Sequence, residues 1–196
     1  MKFSVRAICF TGMFAAVTAV LSILAIPTPW GVPFTLQTFS VALCGYVLGW
    51  KYGTASTALY VLLGLVGVPV YAGMKAGPGV LFGPTGGYLF GFILMTLLCG
   101  LAQECFEKAK RRLPAAGLLL LLSVLGLACC HVPGIIQLKL VMDMEWGAAA
   151  MAGSVPYLLK DALSVAGAYL VAIGVRRGLA AADISFFYSR SGNRSQ

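Results

Sequence analysis

The sequence predicts an all-α, polytopic membrane protein, and three properties of its composition support that fold class. Hydrophobic residues make up 60% of the 196 residues, charged residues make up only 10%, and the mean hydropathy is +0.91. A soluble domain carries roughly 25% charged residues, because water must solvate its surface. The composition therefore excludes a soluble enzyme, a disordered chain and a nucleic-acid-binding domain, although the net charge is +8.

Six apolar stretches are candidates for membrane spans, since a helix needs about 20 mainly apolar residues to cross the hydrocarbon. In chain order they are Val5 to Ile26, Leu36 to Trp50, Tyr52 to Val70, Gly86 to Cys105, Ala115 to Leu138 and Ala148 to Val175. The first exceeds the about 7 to 15 apolar residues of a signal-peptide core, so we expect it to be retained. Residues 1–180 are predicted to form one six-helix transmembrane domain, followed by a short polar cytoplasmic tail at 181–196.

The basic residues predict the orientation of these spans, because cytoplasmic loops collect Lys and Arg. Eleven of the 14 fall in the N-terminus, the second and fourth connections and the C-terminal segment: Lys2, Arg6, Lys51, Lys108, Lys110, Arg111, Arg112, Arg176, Arg177, Arg190 and Arg194. Lys75 and Lys139 fall on the other side, and Lys160 lies within the sixth span. Both termini are therefore predicted to be cytoplasmic, and the basic excess is attributed to topology and anionic lipid.

The first and third connections are predicted to lie outside the cell and to differ from ordinary loops. Ile26 to Thr35 reads IPTPWGVPFT, and Tyr71 to Thr85 reads YAGMKAGPGVLFGPT. Backbone of this irregular kind is not tolerated in bare lipid, because its polar groups would be unpaired. We expect the two segments to cap the bundle or to line a cavity that opens outward.

Small residues at intervals of four predict close helix packing. Helices in lipid associate through van der Waals contact, which small residues at i and i+4 allow. The residues concerned are Gly45, Gly49, Gly53, Gly83, Gly87 and Gly91, with Ala15 and Ala19 on the first span. The alanine pair has two interpretations, intramolecular packing or docking of another membrane protein, and its spacing alone favours packing.

Lys160 and Asp161 are the ionisable pair predicted at membrane depth, where charge is costly and indicates a functional site. Adjacent helix positions do not face one another, so we expect no mutual ion pair. Asp161 is predicted to point into the bundle, on one face with Tyr157 and Ser164, while Lys160 swings inward or extends to the interface. A purely structural, helix-pairing aspartate is the alternative.

Neutral polar groups follow the first outer connection. Gln37, beside Thr35 and Thr38, is placed either to hydrogen-bond a ligand or to cap the second span. An outward lid, a buried carboxylate and neutral donors together indicate a pocket for a small molecule with a polar head and a largely apolar body. That combination favours binding over catalysis.

Catalytic and metal sites find little support. Cys129, Cys130 and His131 point about 100° apart in a helix and so are not a ready metal site, and His131, the single histidine, is predicted to be a hydrogen-bonded bundle residue. The chain has no GxxxxGK[ST] phosphate loop with which to use ATP itself. We expect no enzyme activity, no metal and no cofactor. A solute-capturing subunit driven by a partner and a free-standing facilitator or secondary transporter remain.

Several motifs resemble one family across most of the chain. They are PFTLQT at 33–38, the Gly49 to Gly53 segment, YVLLGLVGVPV at 60–70 and GPTGGYLFG at 83–91. Together they resemble the BioY family, the biotin-binding S components of energy-coupling-factor (ECF) vitamin transporters. The resemblance implies capture of biotin from outside a bacterial cytoplasmic membrane. It also implies inward delivery with a transmembrane T component and two ABC-type ATPases, docked through Ala15 and Ala19.

The same resemblance implies a ligand site. The sixth span is similar to the family element P-F-x-x-G-D-x-x-K, with Asp161 at the aspartate expected to bind the ureido ring. Ser164 stands where that element has lysine, and Lys160 where it has glycine, so either Lys160 supplies the cation or neutral donors suffice. From the chemistry of biotin, its carboxylate is expected at the wet outer mouth, near Lys75 or loop N–H groups. The predicted substrate-binding residues are Asp161, Lys160, Ser164, Tyr157, Gln37, Thr35, Tyr88 and Gly87. An S component for another vitamin and a solitary transporter are the alternatives.

Overall fold

The computed structural model describes residues 5–29 and 32–182, and in these ranges the chain is almost entirely helical. The helices are α1 (Val5–Ile23), α2 (Gln37–Leu65), α3 (Pro78–Leu81), α4 (Gly86–Lys108), α5 (Arg112–Met142), α6 (Trp146–Gly153) and α7 (Val155–Ala181). Two short strands, β1 (Ala25–Ile26) and β2 (Phe34–Thr35), pair antiparallel. Trp30 and Gly31 of the first outer connection, and nearly all of the predicted tail, lie outside the described residues.

Four helices are long and apolar enough to cross a membrane: α1, α4, α5 and α7. Their outward surfaces carry large apolar side chains, among them Val20, Leu120 and Leu170, which are 60%, 64% and 69% exposed. A sheath of this kind is stable against hydrocarbon and unstable in water. The protein is therefore a multi-pass membrane protein.

Helix α2 reverses direction at Gly49. This residue has φ 73° and ψ 178°, a conformation that is essentially restricted to glycine. Beyond it the chain folds back, so that a Cβ on Gly53 would lie 2.6 Å from Cys44 O, and Gln37 Nε2 donates to Tyr60 Oη at 2.8 Å. Nine residues of straight helix would span about 14 Å. The stretches Leu36 to Trp50 and Tyr52 to Val70 are thus two packed halves joined by a glycine turn.

The last predicted span is two helices rather than one. Helix α6 ends and α7 begins around Ser154, whose φ of −135° and ψ of −51° are not helical. Pro156 lies in the first turn of α7, where its missing N–H costs nothing. Helix α7 does not end at Val175, where the predicted span ends. It continues to Ala181 and therefore includes Arg176.

Helix α4 is central and packs against α2 and α5. A Cβ on Gly87 would lie 2.1 Å from Pro133 O, and one on Gly91 would lie 2.6 Å from Cys130 Cα. These glycines therefore allow the backbones of α4 and α5 to touch, which confirms the predicted packing role of this part of the glycine series. Gly83 has no such role, because it is in the turn that follows α3.

The helix ends divide the bundle into two ends of different character. One, the loop end, contains residues 24–29, 32–36, 66–85 and 143–145. The other, the basic end, contains the start of α1, the Gly49 turn, the α4–α5 turn and the end of α7. The described basic residues at or near it are Arg6, Lys51, Lys108, Lys110, Arg111, Arg112, Arg176 and Arg177. The loop end holds the cavity described next.

Candidate ligand-binding site

A cavity opens at the loop end, where α2, α4 and α7 begin and the second half of α5 lies. Its empty volume is about 720 Å³, including the open space at its mouth. The lining includes Val32, Pro33 and Thr35 of the segment between α1 and α2. It also includes Tyr71, Ala72 and Lys75 of the segment between α2 and α3. Val80, Leu89 and Phe92 provide apolar wall. Both loop segments that the sequence predicts to cap the bundle therefore line a cavity.

The first connection is held down by α7. Strands β1 and β2 pair Ala25 with Thr35 and Ile26 with Phe34. The Tyr157 hydroxyl donates to Val32 O and lies 3.1 Å from Thr28 Oγ1, while the rings of Tyr157 and Phe34 are 5.1 Å apart. Tyr157 thus anchors the roof of the cavity to the helix that carries its carboxylate.

Asp161 stands at the polar centre of the cavity, and two nitrogens approach its carboxylate. Lys160 Nζ lies 2.5 Å from Oδ1, and His131 Nε2 lies 3.2 Å from Oδ2. The side chains of Asp161 and His131 are 6% and 7% exposed. The expectation that Lys160 and Asp161 do not pair is wrong. The four-carbon lysine stem is long enough to bend around its own backbone, which an argument from Cβ directions does not capture.

Both contacts of the Asp161 carboxylate are close in distance but do not have the angles of hydrogen bonds. As a result, Asp161 Oδ1 and His131 Nε2 are buried without a hydrogen-bond partner among the described residues. A buried polar atom in that state is destabilising, typically by about 1 to 3 kcal/mol. Two such atoms beside an open cavity indicate a group that is to be bound there.

Lys160 serves the roof as well as the carboxylate. Its Nζ donates to Thr35 O at 2.9 Å and lies 5.1 Å from the centre of the Phe34 ring. The cation therefore neutralises Asp161 and ties β2 to α7. Of the two positions left open for this side chain, the structure has the inward one.

Gln37 belongs to a hydrogen-bonded chain and does not cap α2. Thr35 Oγ1 donates to Gln37 Oε1 at 3.0 Å, and Gln37 Nε2 donates to Tyr60 Oη, which lies 2.7 Å from Ser22 Oγ. No side-chain cap bond forms at the start of α2. The amide is consequently fixed in orientation at the cavity wall, which Thr38 also lines.

Tyr88 lines the cavity beside His131. Its hydroxyl donates to Gly153 O at 2.6 Å, and its ring meets the His131 ring edge-on with centroids 6.1 Å apart. Six of the eight predicted substrate-binding residues thus line the cavity: Asp161, Lys160, Tyr157, Gln37, Thr35 and Tyr88.

Ser164 and Gly87 do not line the cavity. The inward residues of α7 include Tyr157, Asp161 and Val165, whereas Ser164 is one turn beyond Lys160 and lies in an open surface depression with Leu163. Three residues rotate a helix by about 300°, which is enough to move Ser164 off the inner face. Gly87 faces the α5 backbone, so its role is packing.

His131 is the residue whose role in the site was not predicted. Its Nδ1 lies 2.8 Å from Ser154 Oγ, and its other nitrogen faces Asp161. It is a hydrogen-bonded bundle residue, as expected, but one that lines the cavity. The sequence signal was a single histidine at membrane depth, and only the contact between α5 and α7 shows what it faces.

Ala15 and Ala19 are placed in the interior. They are 1% and 8% exposed and belong to the apolar core, on the face of α1 that packs on α2. In this structure they are packing residues, the interpretation that their spacing alone favoured. On the neighbouring face, Ala16 is exposed and Gly12 is partly exposed.

Comparison with known proteins places the chain in a family. The model of the BioY family matches residues 1–181. The chain belongs to the BioY family. It is 42% identical over 173 residues to the biotin transporter BioY of Thermotoga maritima, covering 88% of this chain and 96% of that protein. It is 36% identical over 147 residues to the biotin transporter BioY2 of Lactococcus lactis subsp. cremoris, covering 75% and 77%.

A protein of known crystal structure has a similar fold. The S-component for biotin from an ECF-type ABC transporter superposes on this BioY chain with a TM-score of 0.72 and is 26% identical, covering 88% of this chain and 90% of that one. The cavity therefore lies in a fold that, in that protein, belongs to a biotin-specific subunit.

Proposed function

We propose that this chain takes up biotin as the substrate-capturing S component of an ECF-type importer and catalyses no covalent reaction. One observation carries the proposal: a buried carboxylate with an unpartnered oxygen faces a roofed, amphipathic cavity in a member of the BioY family. The named relatives are biotin transporters, and the similar solved structure is a biotin S-component.

The chemistry of the cavity suits biotin. The ureido ring offers two N–H donors and one carbonyl acceptor, so Asp161 Oδ1 accepts an N–H while a nearby nitrogen donates to the carbonyl. The sulfur-containing ring and alkyl chain pack against Val80, Leu89 and Phe92. The ligand carboxylate lies toward the mouth, where Lys75 is exposed.

Six membrane-spanning segments with both termini in the cytoplasm are part of the proposal. The two halves of α2 count as two spans, and with α1, α4, α5 and α7 they make six. Eight of the eleven described basic residues lie at or near the end opposite the cavity, and basic residues favour the cytoplasmic side. The cavity would then open to the outside of a bacterial plasma membrane.

The partners in this proposal are a transmembrane T component and two ABC-type ATPases, which alone use ATP. Because Ala15 and Ala19 are buried against α2, their contribution to docking would be to keep α1 close to the bundle. The exposed neighbouring face, with Gly12 and Ala16, is the surface left for a T component. Uptake that persists in cells without any T component would instead identify a solitary transporter.

The test is equilibrium binding to the purified chain in detergent, with a panel of vitamins and an Asp161→Asn variant. Biotin alone is expected to bind saturably, and the variant is expected to lose about 10- to 100-fold in affinity, since removing a charged hydrogen-bond acceptor costs about 1.5 to 3 kcal/mol. Ser164→Ala, one turn away on the outer face, is the matched control and keeps its affinity.

Each other outcome of this panel contradicts part of the proposal. Tight binding of a different vitamin would show an S component of other specificity, and no saturable binding at all would indicate a scaffold. Unchanged biotin affinity in Asp161→Asn would remove the carboxylate from the ligand site. Thermal unfolding of the variant, expected to match the parent, shows that the fold is intact.

A further inference from the structure

We propose that His131 is a specificity-determining residue, whose Nε2–H donates to the carbonyl oxygen of the ligand's cyclic urea. This inference rests on the proposed function. The family element has a lysine on the last span at the position where this chain has Ser164. We assign the role of hydrogen-bond donor to His131 of α5 instead. It extends the site to a helix in which neither the sequence motifs nor the family comparison single out a ligand residue.

The partners of His131 determine where its proton lies. Nε2 is 3.2 Å from a carboxylate oxygen of Asp161, and Nδ1 is 2.8 Å from Ser154 Oγ. A bare Nε2 lone pair facing a carboxylate would be repelled, so the neutral ring carries its hydrogen on Nε2. Nδ1 then accepts a hydrogen bond from the Ser154 hydroxyl, and this bond stabilises the tautomer with hydrogen on Nε2.

The ring is also fixed in orientation. Ser154 is buried at the junction of α6 and α7, and the Tyr88 ring stands edge-on against the imidazole. Tyr88 itself is held by its bond to Gly153 O. A donor on so constrained a ring is preorganised, because little freedom remains to be lost when a ligand binds.

The Nε2–H has no acceptor of its own. Its angle to Asp161 misses that of a hydrogen bond, and the atom is buried without a partner in the part of the chain that the structure describes. Asp161 Oδ1 is in the same state. A donor and an acceptor that make no hydrogen bond therefore lie close together, with the Lys160 ammonium in ionic contact with the acceptor. A cyclic urea presents the complementary pair, a carbonyl oxygen next to an N–H.

Three other donors at the described cavity wall already make hydrogen bonds within the protein. Lys160 Nζ donates to Thr35 O, Gln37 Nε2 donates to Tyr60 Oη, and the Tyr88 hydroxyl donates to Gly153 O. Lys160 and Gln37 keep further N–H groups, but these bonds set the directions of their side chains. His131 Nε2 donates no hydrogen bond and lies against the Asp161 carboxylate, which is why we assign the urea carbonyl to it.

The experiment measures the coupling between His131 and one ligand atom. Biotin and an analogue whose ureido oxygen is replaced by sulfur, a weak acceptor, are titrated calorimetrically into the parent protein, His131→Leu and His131→Gln. The parent is expected to prefer biotin by roughly ten-fold, the value of one hydrogen bond. His131→Leu is expected to bind biotin more weakly and to bind the two ligands equally. His131→Gln, which restores an N–H, is expected to recover part of the preference.

A merely structural histidine would give a different result. Both ligands would then weaken by the same factor in His131→Leu, or neither would change, and the preference for oxygen over sulfur would persist; either outcome overturns the inference. If the leucine variant unfolds, the preference is read in His131→Gln, where a preference reduced below that of the parent supports the assigned donor, and the parent's full preference together with wild-type affinity contradicts it. Failure of the parent itself to bind biotin would contradict the proposed function instead, so the two failures are distinguishable.

Discussion

The two ends of the bundle each place a carboxylate next to a cation, yet they satisfy these groups differently. At the basic end, Arg176 of α7 pairs with Glu107 and donates to Tyr46 O at 2.5 Å, and Gln103 Nε2 donates to the same Glu107 oxygen at 3.0 Å. At the loop end, the Asp161 cluster leaves an oxygen and a nitrogen unpartnered beside a cavity. The same kind of pair thus serves helix packing at one end and, in our proposal, ligand binding at the other.

The helix packing around the two ion pairs also differs: it is close at the basic end and open at the loop end. Near Arg176 the helices approach so closely that a Cβ on Gly100 would lie 2.4 Å from Trp50 N. Around Asp161 the helix ends are separated by loops and by open space. Close packing makes a salt bridge a structural tie, whereas the same charges beside a cavity are available to a small molecule. Changes at the two ends should therefore affect different measurements.

The largest effect is expected at the basic end. Arg176→Leu removes the donor to the Tyr46 carbonyl and the cation beside the exposed Glu107, so the free energy of unfolding should fall by about 2 kcal/mol, mainly through the unsatisfied carbonyl. Biotin affinity should stay within about two-fold, because the cavity is at the opposite end. Arg177→Leu, its exposed neighbour, is the control and should be nearly neutral. Chemical unfolding and calorimetry in detergent measure both quantities. Lost affinity in a stably folded Arg176→Leu would mean that the two ends are coupled.

A smaller effect, on biotin affinity rather than on the free energy of unfolding, is expected at the loop end. Lys160→Met keeps most of the stem but removes the cation beside Asp161 and the tie to Thr35 O, so biotin affinity should fall roughly ten-fold. Lys75→Met at the exposed mouth should lose less, because a solvated ion pair contributes about 1 kcal/mol or less. Calorimetric titration of both variants gives the ranking. A larger loss in Lys75→Met would move the polar centre of the site to the mouth.

The smallest effect is expected from restoring the family lysine. Ser164→Lys reconstructs the D-x-x-K spacing, but position 164 is on the outer side of α7, so affinity should change by no more than about two-fold. Titration beside the parent protein decides this point. A ten-fold gain would show that a lysine at 164 reaches the cavity and that the outward placement of Ser164 is not fixed.

The sequence predicts most of the fold because lipid imposes simple requirements. Runs of apolar residues predict the long helices, and charge-free Pro/Gly segments predict the loops that line the cavity. Boundaries are less accurate where a single backbone conformation decides them, as at Gly49 and Ser154. Arg176 is predicted to lie in the cytoplasm because it follows an apolar stretch, but α7 continues past it and buries its guanidinium against α2 and α4.

The site is predictable as far as one helix determines it. Tyr157 and Asp161 share a face through i,i+4 spacing, and both line the cavity. Ser164, three residues after Asp161, lies at the edge of the buried face of α7, where helical periodicity does not decide whether a side chain is buried or exposed. The contacts of Lys160 depend on a flexible stem, and those of His131 on how α5 packs beside α7. Neither is contained in local spacing, so only the three-dimensional arrangement shows them.

The central claim is that the cavity at the loop end holds biotin through Asp161, and a structure of the chain bound to biotin tests it most directly. Our account predicts an N–H of the ureido ring within hydrogen-bond distance of Asp161 Oδ1, with the ligand carboxylate toward Lys75. Biotin bound elsewhere, or bound in this cavity with its ureido ring at the mouth and Asp161 turned away, would contradict it.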